Sequence, residues 1–295
     1  GLKTYNRMTG KIEDYSINSA PLDFSEGKIH AIMEDRDKNL WVGLFQKGIV
    51  LMPKQENPFE YYGNRSIYYN PIGQGCVMSI YQDSNRHLWV GADNEGIFEL
   101  DAEGKRLRHY QPGNNPRSMA NTIMCMYEDT NGDFWLGTYT RGLAKLNRRT
   151  GECEYPLPVD NEKIFSITED RHKNLYIATF GSGFYRYNLV TRELKHYESS
   201  KDESGDLTRN ELANDWVNYI FCDSEGMIWL GHYKGISCFN PVNESFINYR
   251  NVNTLIEDRV GYVLQEDHAG NIWAGTTDGL YRFNKKTEEL TCFTV

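Results

Sequence analysis

Apolar and polar positions alternate over short runs in this chain, and clusters of turn-forming residues separate the runs. Residues 260–266 alternate in part, with the period of a half-buried strand. Asp267-His268-Ala269-Gly270-Asn271 then reads as a tight turn: Gly and Asn suit positive φ, and Asp can bond the turn backbone. Ile272-Trp273-Ala274 predicts a second strand, 275–279 a second turn, and 280–283 a third strand. Residues 284–287 turn once more before a fourth strand that ends at Phe293. No segment between these runs carries a helical period.

The same unit occurs six times. Each copy has an Asp after an apolar run: Asp35, Asp83, Asp129, Asp170, Asp223 and Asp267. Six residues on stands an aromatic: Trp41, Trp89, Trp135, Tyr176, Trp229 or Trp273. Two further on stands Gly43, Gly91, Gly137, Ala178, Gly231 or Gly275. Five of the six Trp residues fall on this one position, and successive Asp residues lie 48, 46, 41, 53 and 44 apart. Four short antiparallel strands at such a period are the signature of a β-propeller blade. A blade has two apolar faces that its neighbours must cover. The five Trp are therefore expected buried between blades, the small residues to make room for a neighbour, and the Asp residues to serve the turns.

The opening nine residues, Gly1-Leu2-Lys3-Thr4-Tyr5-Asn6-Arg7-Met8-Thr9, align with 279–287. Residues 1–15 thus read as the third and fourth strands of a blade whose first two are supplied from elsewhere. The predicted fold is all-β: one β-propeller domain over 1–295, with a half blade at 1–15. Six full blades follow at about 29–62, 77–111, 123–157, 164–198, 217–250 and 260–295, for a seven-bladed ring in a longer parent protein. A helical turn is tolerated only in the insert at 199–216.

Charge narrows the function. The chain has 32 Lys plus Arg and 41 Asp plus Glu, a net charge of −9. That argues against nucleic acid as a partner and against an anionic membrane surface. No apolar run approaches the length of a membrane span, so no direct membrane insertion is expected of these residues. The six cysteines, Cys76, Cys125, Cys153, Cys222, Cys238 and Cys292, form no CxxC pair and suggest no metal site. Small buried hydrophobes are the plain reading of them, and their disulfide state is open. GxSxG, HExxH, P-loop and dinucleotide motifs are absent, so neither a cofactor nor catalysis is expected.

The string Glu-Asp, two residues, Asn or Gly, one residue, apolar-Trp-apolar-Gly resembles the two-component regulator propeller repeat. Clear copies are Glu128-Asp129-Thr130-Asn131-Gly132-Asp133-Phe134-Trp135-Leu136-Gly137 and Glu266-Asp267-His268-Ala269-Gly270-Asn271-Ile272-Trp273-Ala274-Gly275. Gly142-Leu143-Ala144-Lys145-Leu146-Asn147 and Gly279-Leu280-Tyr281-Arg282-Phe283-Asn284 fit the later strands, and the weakest copy is Lys173-Asn174-Leu175-Tyr176-Ile177-Ala178. The resemblance implies the extracytoplasmic, periplasmic sensor region of a hybrid histidine kinase, with an oligosaccharide as ligand and the neighbouring domains of the receptor as partners. A half blade also leaves a sheet edge that could pair with a second copy.

A ligand site is expected where the turns between second and third strands meet the connections between blades. Four of those turns carry an aromatic, more than turn chemistry requires. Phe45, Tyr139, Arg141, Phe180, Trp216, His232 and Tyr233 are the candidate ligand contacts. Flat aromatic faces suit the C–H face of a sugar, and Arg and His suit its hydroxyls or an acidic substituent. Two other readings stay open: a scaffold for protein partners, and a polysaccharide lyase or hydrolase in which His232 works with Asp93, Glu95 or Asp278.

Overall fold

A computed structural model describes residues 3–14, 29–36, 38–44, 48–52, 62, 70–159, 162–200, 210–249, 261–276 and 279–293. Among these residues there are strands and turns and no helix. The chain divides into two compact units, Gly1–Asn70 and Pro71–Val295.

The first unit holds two antiparallel sheets. One pairs β1 (Lys3–Tyr5) with β2 (Ile12–Asp14); the other orders β3 (Ile29–Glu34), β4 (Leu40–Leu44) and β5 (Gly48–Met52). The fourth strand expected near residue 62 lies outside the described strands. The second unit holds five sheets of four strands, each in simple sequence order. The first contains β6 (Val77–Gln82), β7 (Leu88–Ala92), β8 (Gly96–Leu100) and β9 (Arg106–Tyr110). The second contains β10 (Ile123–Glu128), β11 (Phe134–Thr138), β12 (Leu143–Leu146) and β13 (Cys153–Glu154). The third contains β14 (Ile164–Glu169), β15 (Asn174–Thr179), β16 (Phe184–Asn188) and β17 (Leu194–Tyr197). The fourth contains β18 (Val217–Cys222), β19 (Ile228–His232), β20 (Gly235–Asn240) and β21 (Ser245–Tyr249). The fifth contains β22 (Gly261–Glu266), β23 (Asn271–Thr276), β24 (Gly279–Asn284) and β25 (Glu289–Phe293). These are propeller blades: the first strands β6, β10, β14, β18 and β22 contact one another in succession, so the sheets stack face to face in chain order.

The repeated residues explain both the turn and the stack. In all five sheets of the second unit, Oδ1 of the Asp accepts backbone N–H groups two and four residues on, at 2.8–3.0 Å. Oδ2 accepts the N–H of the Trp six residues on, at 2.8–3.0 Å. One carboxylate therefore closes the turn and satisfies a large side chain at the blade interface, a second task beyond the turn role expected of it. Tyr176 donates its hydroxyl to Asp170 at 2.9 Å, so the weakest copy of the motif keeps the same bond with a different donor.

Trp89, Trp135, Tyr176 and Trp229 are buried, each against the following sheet. The Trp89 ring lies 4.5 Å from Phe134, and Trp229 lies 5.7 Å from Phe283. The small residue does what its size predicts. A Cβ on Gly137 would meet Ile164 Cγ2 and the Ile164 carbonyl at 2.8 Å. Between sheets, Glu128 accepts the Ser84 N–H, Glu169 the Thr130 N–H and Glu266 the Ser224 N–H, each at 2.7 Å.

Two expectations are corrected. Trp41 and Trp273 are half-buried rather than buried; among the described residues neither stands in a core cluster, unlike Trp89, Trp135 and Trp229. Cys76 is exposed, whereas Cys153 and Cys238 are buried and all six thiols are free. In the insert, the described residues 199–200 and 210–216 form no helical turn, and 201–209 lie outside the described residues.

Candidate functional site

Four of the five blades of the second unit carry their site end on one recurring backbone bond. The carbonyl just before the first strand accepts the N–H that opens the turn between second and third strands. The pairs are Cys76 with Asp93, Thr122 with Tyr139, Lys163 with Phe180 and Trp216 with Tyr233, at 2.8–3.1 Å. Connections and turns therefore meet at one end of the sheets, as the strand order requires, and each blade presents two side chains there.

Across three consecutive blades these side chains form one line. Lys163 Nζ lies 5.0 Å from the centre of the Tyr139 ring. Phe180 follows on the backbone bond from Lys163, and its ring lies 4.6 Å from Trp216. Trp216 lies 6.0 Å from Tyr233. Tyr139 is 41% exposed, Trp216 46% and Tyr233 53%, so the line offers ring faces to solvent. Phe165 stacks on Phe180 from below at 4.9 Å and 19°.

The backbone holds this line in place. Asp215 accepts the N–H of Gly181 and of Gly183 through its carbonyl, and the Ser199 N–H through its carboxylate. Asn214 Oδ1 accepts the Trp216 N–H at 3.0 Å. Gly181 has φ +121°, a conformation that side chains disfavour, so glycine is the residue that lets this turn form next to the indole.

Of the candidate contacts, Tyr139, Phe180, Trp216 and Tyr233 share this line; Phe45 lies outside the described residues. Arg141 is half-buried and turned inward. Its guanidinium donates to the carbonyls of Ser118 at 2.9 Å and Pro116 at 2.8 Å and lies over the Tyr155 ring at 4.2 Å. It ties down the connection between two blades. His232 is 1% exposed. Nδ1 accepts the Lys234 N–H, which leaves Nε2 to donate to Ser237 Oγ at 2.7 Å. Ser237 in turn donates to Asn248, whose amide donates to the Glu211 carbonyl at 3.1 Å. Burial first, and then the Lys234 charge, lower the His232 pKa to about 3, so the ring is neutral at physiological pH. Its place is beneath the turn that carries Tyr233. Asp93 accepts the Thr122 hydroxyl at 2.6 Å, and Glu95 accepts the N–H groups of Gln74 and Gly75. Asp278 lies outside the described residues.

Two members of the line escape the motif reading. Lys163 occupies the same repeat position as Trp216, one residue before the first strand, and aligning those positions would have found it. Phe165 sits where the pairing of β14 with β15 shifts between Ile164 and Ser166. A bulge re-aims its side chain and breaks the alternation from which a face is read.

Lys163 is the one charged side chain in the line, beside four rings, of which Tyr139, Trp216 and Tyr233 carry a hydroxyl or an indole N–H. Four of the thiols are poor nucleophiles: burial raises Cys125, Cys153 and Cys238 to about 12 and Cys222 to about 11. Among the described residues no group of three His, Cys, Asp or Glu is placed to hold a metal ion, and no helix is long and apolar enough to cross a membrane.

The chain carries two-component regulator propeller repeats, matched at residues 23–46, 71–94 and 118–140. No curated relative matches the sequence. Among solved structures, it is similar to the extracellular domain described as that of the hybrid two-component system BT4673 of B. thetaiotaomicron. That match has 19% identity and a TM-score of 0.65 over 100% of this chain and 41% of the other. The corresponding domain of BT3049 from the same organism matches at 18% identity and a TM-score of 0.55, over 100% of this chain and 49% of the other. Virginiamycin B lyase from Staphylococcus aureus matches at 15% identity and a TM-score of 0.57, over 75% of this chain and 70% of the other. The chain thus spans less than half of the two-component relatives, and at these identities the likeness is one of fold.

Proposed function

We propose that this chain is part of the ligand-sensing propeller of an extracytoplasmic, periplasmic receptor of the hybrid two-component type, and that its ligand is an oligosaccharide. The observation that carries the reading is the exposed line Tyr139, Lys163, Phe180, Trp216 and Tyr233. A sugar ring lays its C–H face on an aromatic ring and turns its hydroxyls to polar neighbours. Successive rings 4.6 Å and 6.0 Å apart, with a cation at one end, suit a chain of sugar units better than a single small molecule. The repeats and the two-component neighbours support the receptor class.

In such a receptor the site is one half of a switch. The ligand bridges blades and favours one packing of the propeller on its neighbouring domain, and a histidine kinase elsewhere in the receptor reads the difference. The shift can be no larger than the ligand's differential affinity for the two arrangements.

Calorimetry of the chain against a panel of oligosaccharides tests the reading. The expected result is saturable binding by at least one glycan, lost in Trp216→Ala and returned unchanged as intact glycan. Binding of a protein partner with every glycan silent replaces this reading with the scaffold; cleavage of any glycan replaces it with the lyase or hydrolase.

A further inference from the structure

Along the outer strands, a cleft of about 270 Å³ opens between the first two blades of the second unit. Its lining is Arg108, His109, Tyr110 and Gln111 from the end of β9, and Arg149, Thr150 and Gly151 from the turn between β12 and β13. Two arginines and no carboxylate line it, in a chain of net charge −9.

The cleft is braced. Arg108 lies over the Tyr110 ring at 5.5 Å and donates one terminal nitrogen to the carbonyls of Arg148 at 2.5 Å and Arg149 at 3.2 Å. Tyr110 donates its hydroxyl to the Arg148 carbonyl at 2.9 Å. These bonds cross from one blade to the next and fix the turn that carries Arg149. Gly151 has φ +80°, and a Cβ there would touch the Tyr110 ring at 3.4 Å, so the turn rests directly on the ring.

The neighbouring charges are already matched. Arg148 binds Asp83 at 3.2 Å and Glu128 at 2.6 Å, and Glu99 accepts from Tyr110 and bonds His87. Arg149 differs from these: among the described residues its guanidinium makes no ion pair or hydrogen bond, and Arg108 keeps Nε and its second terminal nitrogen unused. The Arg108 guanidinium held over a ring, the Arg149 guanidinium and the Thr150 hydroxyl thus line one cleft with no carboxylate among its lining residues.

We propose that this cleft is an oxyanion site, which takes a carboxylate, sulfate or phosphate group between Arg108 and Arg149. Arginine presents paired donors that match the oxygens of such groups, and a concave wall strengthens the local field. The site is independent of the aromatic line and does not rest on the sensor reading.

The test is amide NMR of the chain titrated with sodium sulfate, phosphate and acetate at constant ionic strength, with Arg149→Ala and Arg149→Lys as variants. The Arg149 guanidinium makes no hydrogen bond or ion pair among the described residues, and its backbone bonds survive either substitution, so neither variant threatens the fold. Saturable shifts at Gln111, Thr150 and Gly151 are expected. Arg149→Ala should weaken them by about tenfold or more, the scale of losing one charge-assisted contact, with partial recovery in Arg149→Lys. A sulfated monosaccharide and glucuronate form the second arm. Tighter binding of either marks a sugar-borne group, and equal binding marks the free ion as ligand. Shifts that fail to saturate, or that are the same in Arg149→Ala, overturn the proposal.

Discussion

The two ends of each blade are built on opposite principles. At the Asp-turn end the repeat fixes backbone and side chain together. The carboxylate of Asp83, Asp129, Asp223 or Asp267 accepts two turn amides and an indole, copy after copy. At the other end only the backbone bond repeats, and the side chains it presents change from Cys76 and Asp93 to Trp216 and Tyr233. A repeat architecture can thus hold its scaffold constant while one rim varies, because the bonds that close the turns and seat the indoles are made at the other end.

The sharpest way to break this contrast is to delete a residue of the constant end. Trp135→Ala removes a side chain that is 1% exposed and leaves Asp129 without its indole donor. It should cost about 3–5 kcal/mol of unfolding free energy, measured by urea denaturation. A melting curve like that of the wild type with ligand binding abolished would reverse the roles assigned to the two ends.

At the variable end the effect should fall on binding and leave stability nearly alone. Trp216→Ala should shift the unfolding free energy by less than about 0.5 kcal/mol, as for an exposed site. Its loss of glycan affinity should be at least about tenfold, the usual scale for removing a stacked ring at a hot spot. If stability fell as far as in Trp135→Ala, the line would be core and the site reading would fail.

His232 crosses the comparison, being buried beneath the variable end. Its pKa is lowered from 6.5 to about 3, so below 6.5 the unfolded chain binds a proton that the native chain does not. Stability from this group is therefore complete above 6.5 and is lost as pH falls, at up to about 1.4 kcal/mol per pH unit. Between pH 6.5 and 4.5 this loss separates from that of Glu128 and Glu266, whose lowered pKa values place their contribution below 4.5. His232→Asn should flatten the dependence in that window. An unchanged slope would mean that the ring is not held neutral.

The sequence made the constant end legible because each of its constraints recurs. The spacing from Asp to aromatic is a hydrogen bond, and the Gly or Ala two residues on is a contact with the next blade. The variable end was legible in outline only. Tyr139, Phe180, Trp216 and Tyr233 were visible as aromatics that turns do not require, but whether a polar neighbour faces solvent depends on contacts far apart in the chain. Arg141 binds carbonyls 23 and 25 residues away, and His232 bonds a serine whose partner, Asn248, reaches back to Glu211. Arg149, on a turn that reads as ordinary, gains significance only from Arg108 of the preceding blade.

The smallest expected effect concerns variation inside the constant end. The residue three after each Asp adopts positive φ in all six copies. It is Gly132, Gly226 and Gly270 in three, and Lys38, Arg86 and Lys173 in the others. A side chain there carries a steric cost of about 1 kcal/mol that glycine does not, offset in part by the greater freedom of glycine when unfolded. Lys173 gains something in return, since its amine reaches Thr130 and Asn131 of the preceding blade. Arg86 is exposed, and its side chain makes no hydrogen bond or ion pair among the described residues. Arg86→Gly should therefore raise the unfolding free energy by up to about 1 kcal/mol, whereas Lys173→Gly should gain less or lose stability. Chemical denaturation of both variants side by side makes the measurement. Equal effects at the two positions would show that the bond from Lys173 to its neighbouring blade contributes nothing, and that the turns are uniform in energy as well as in form.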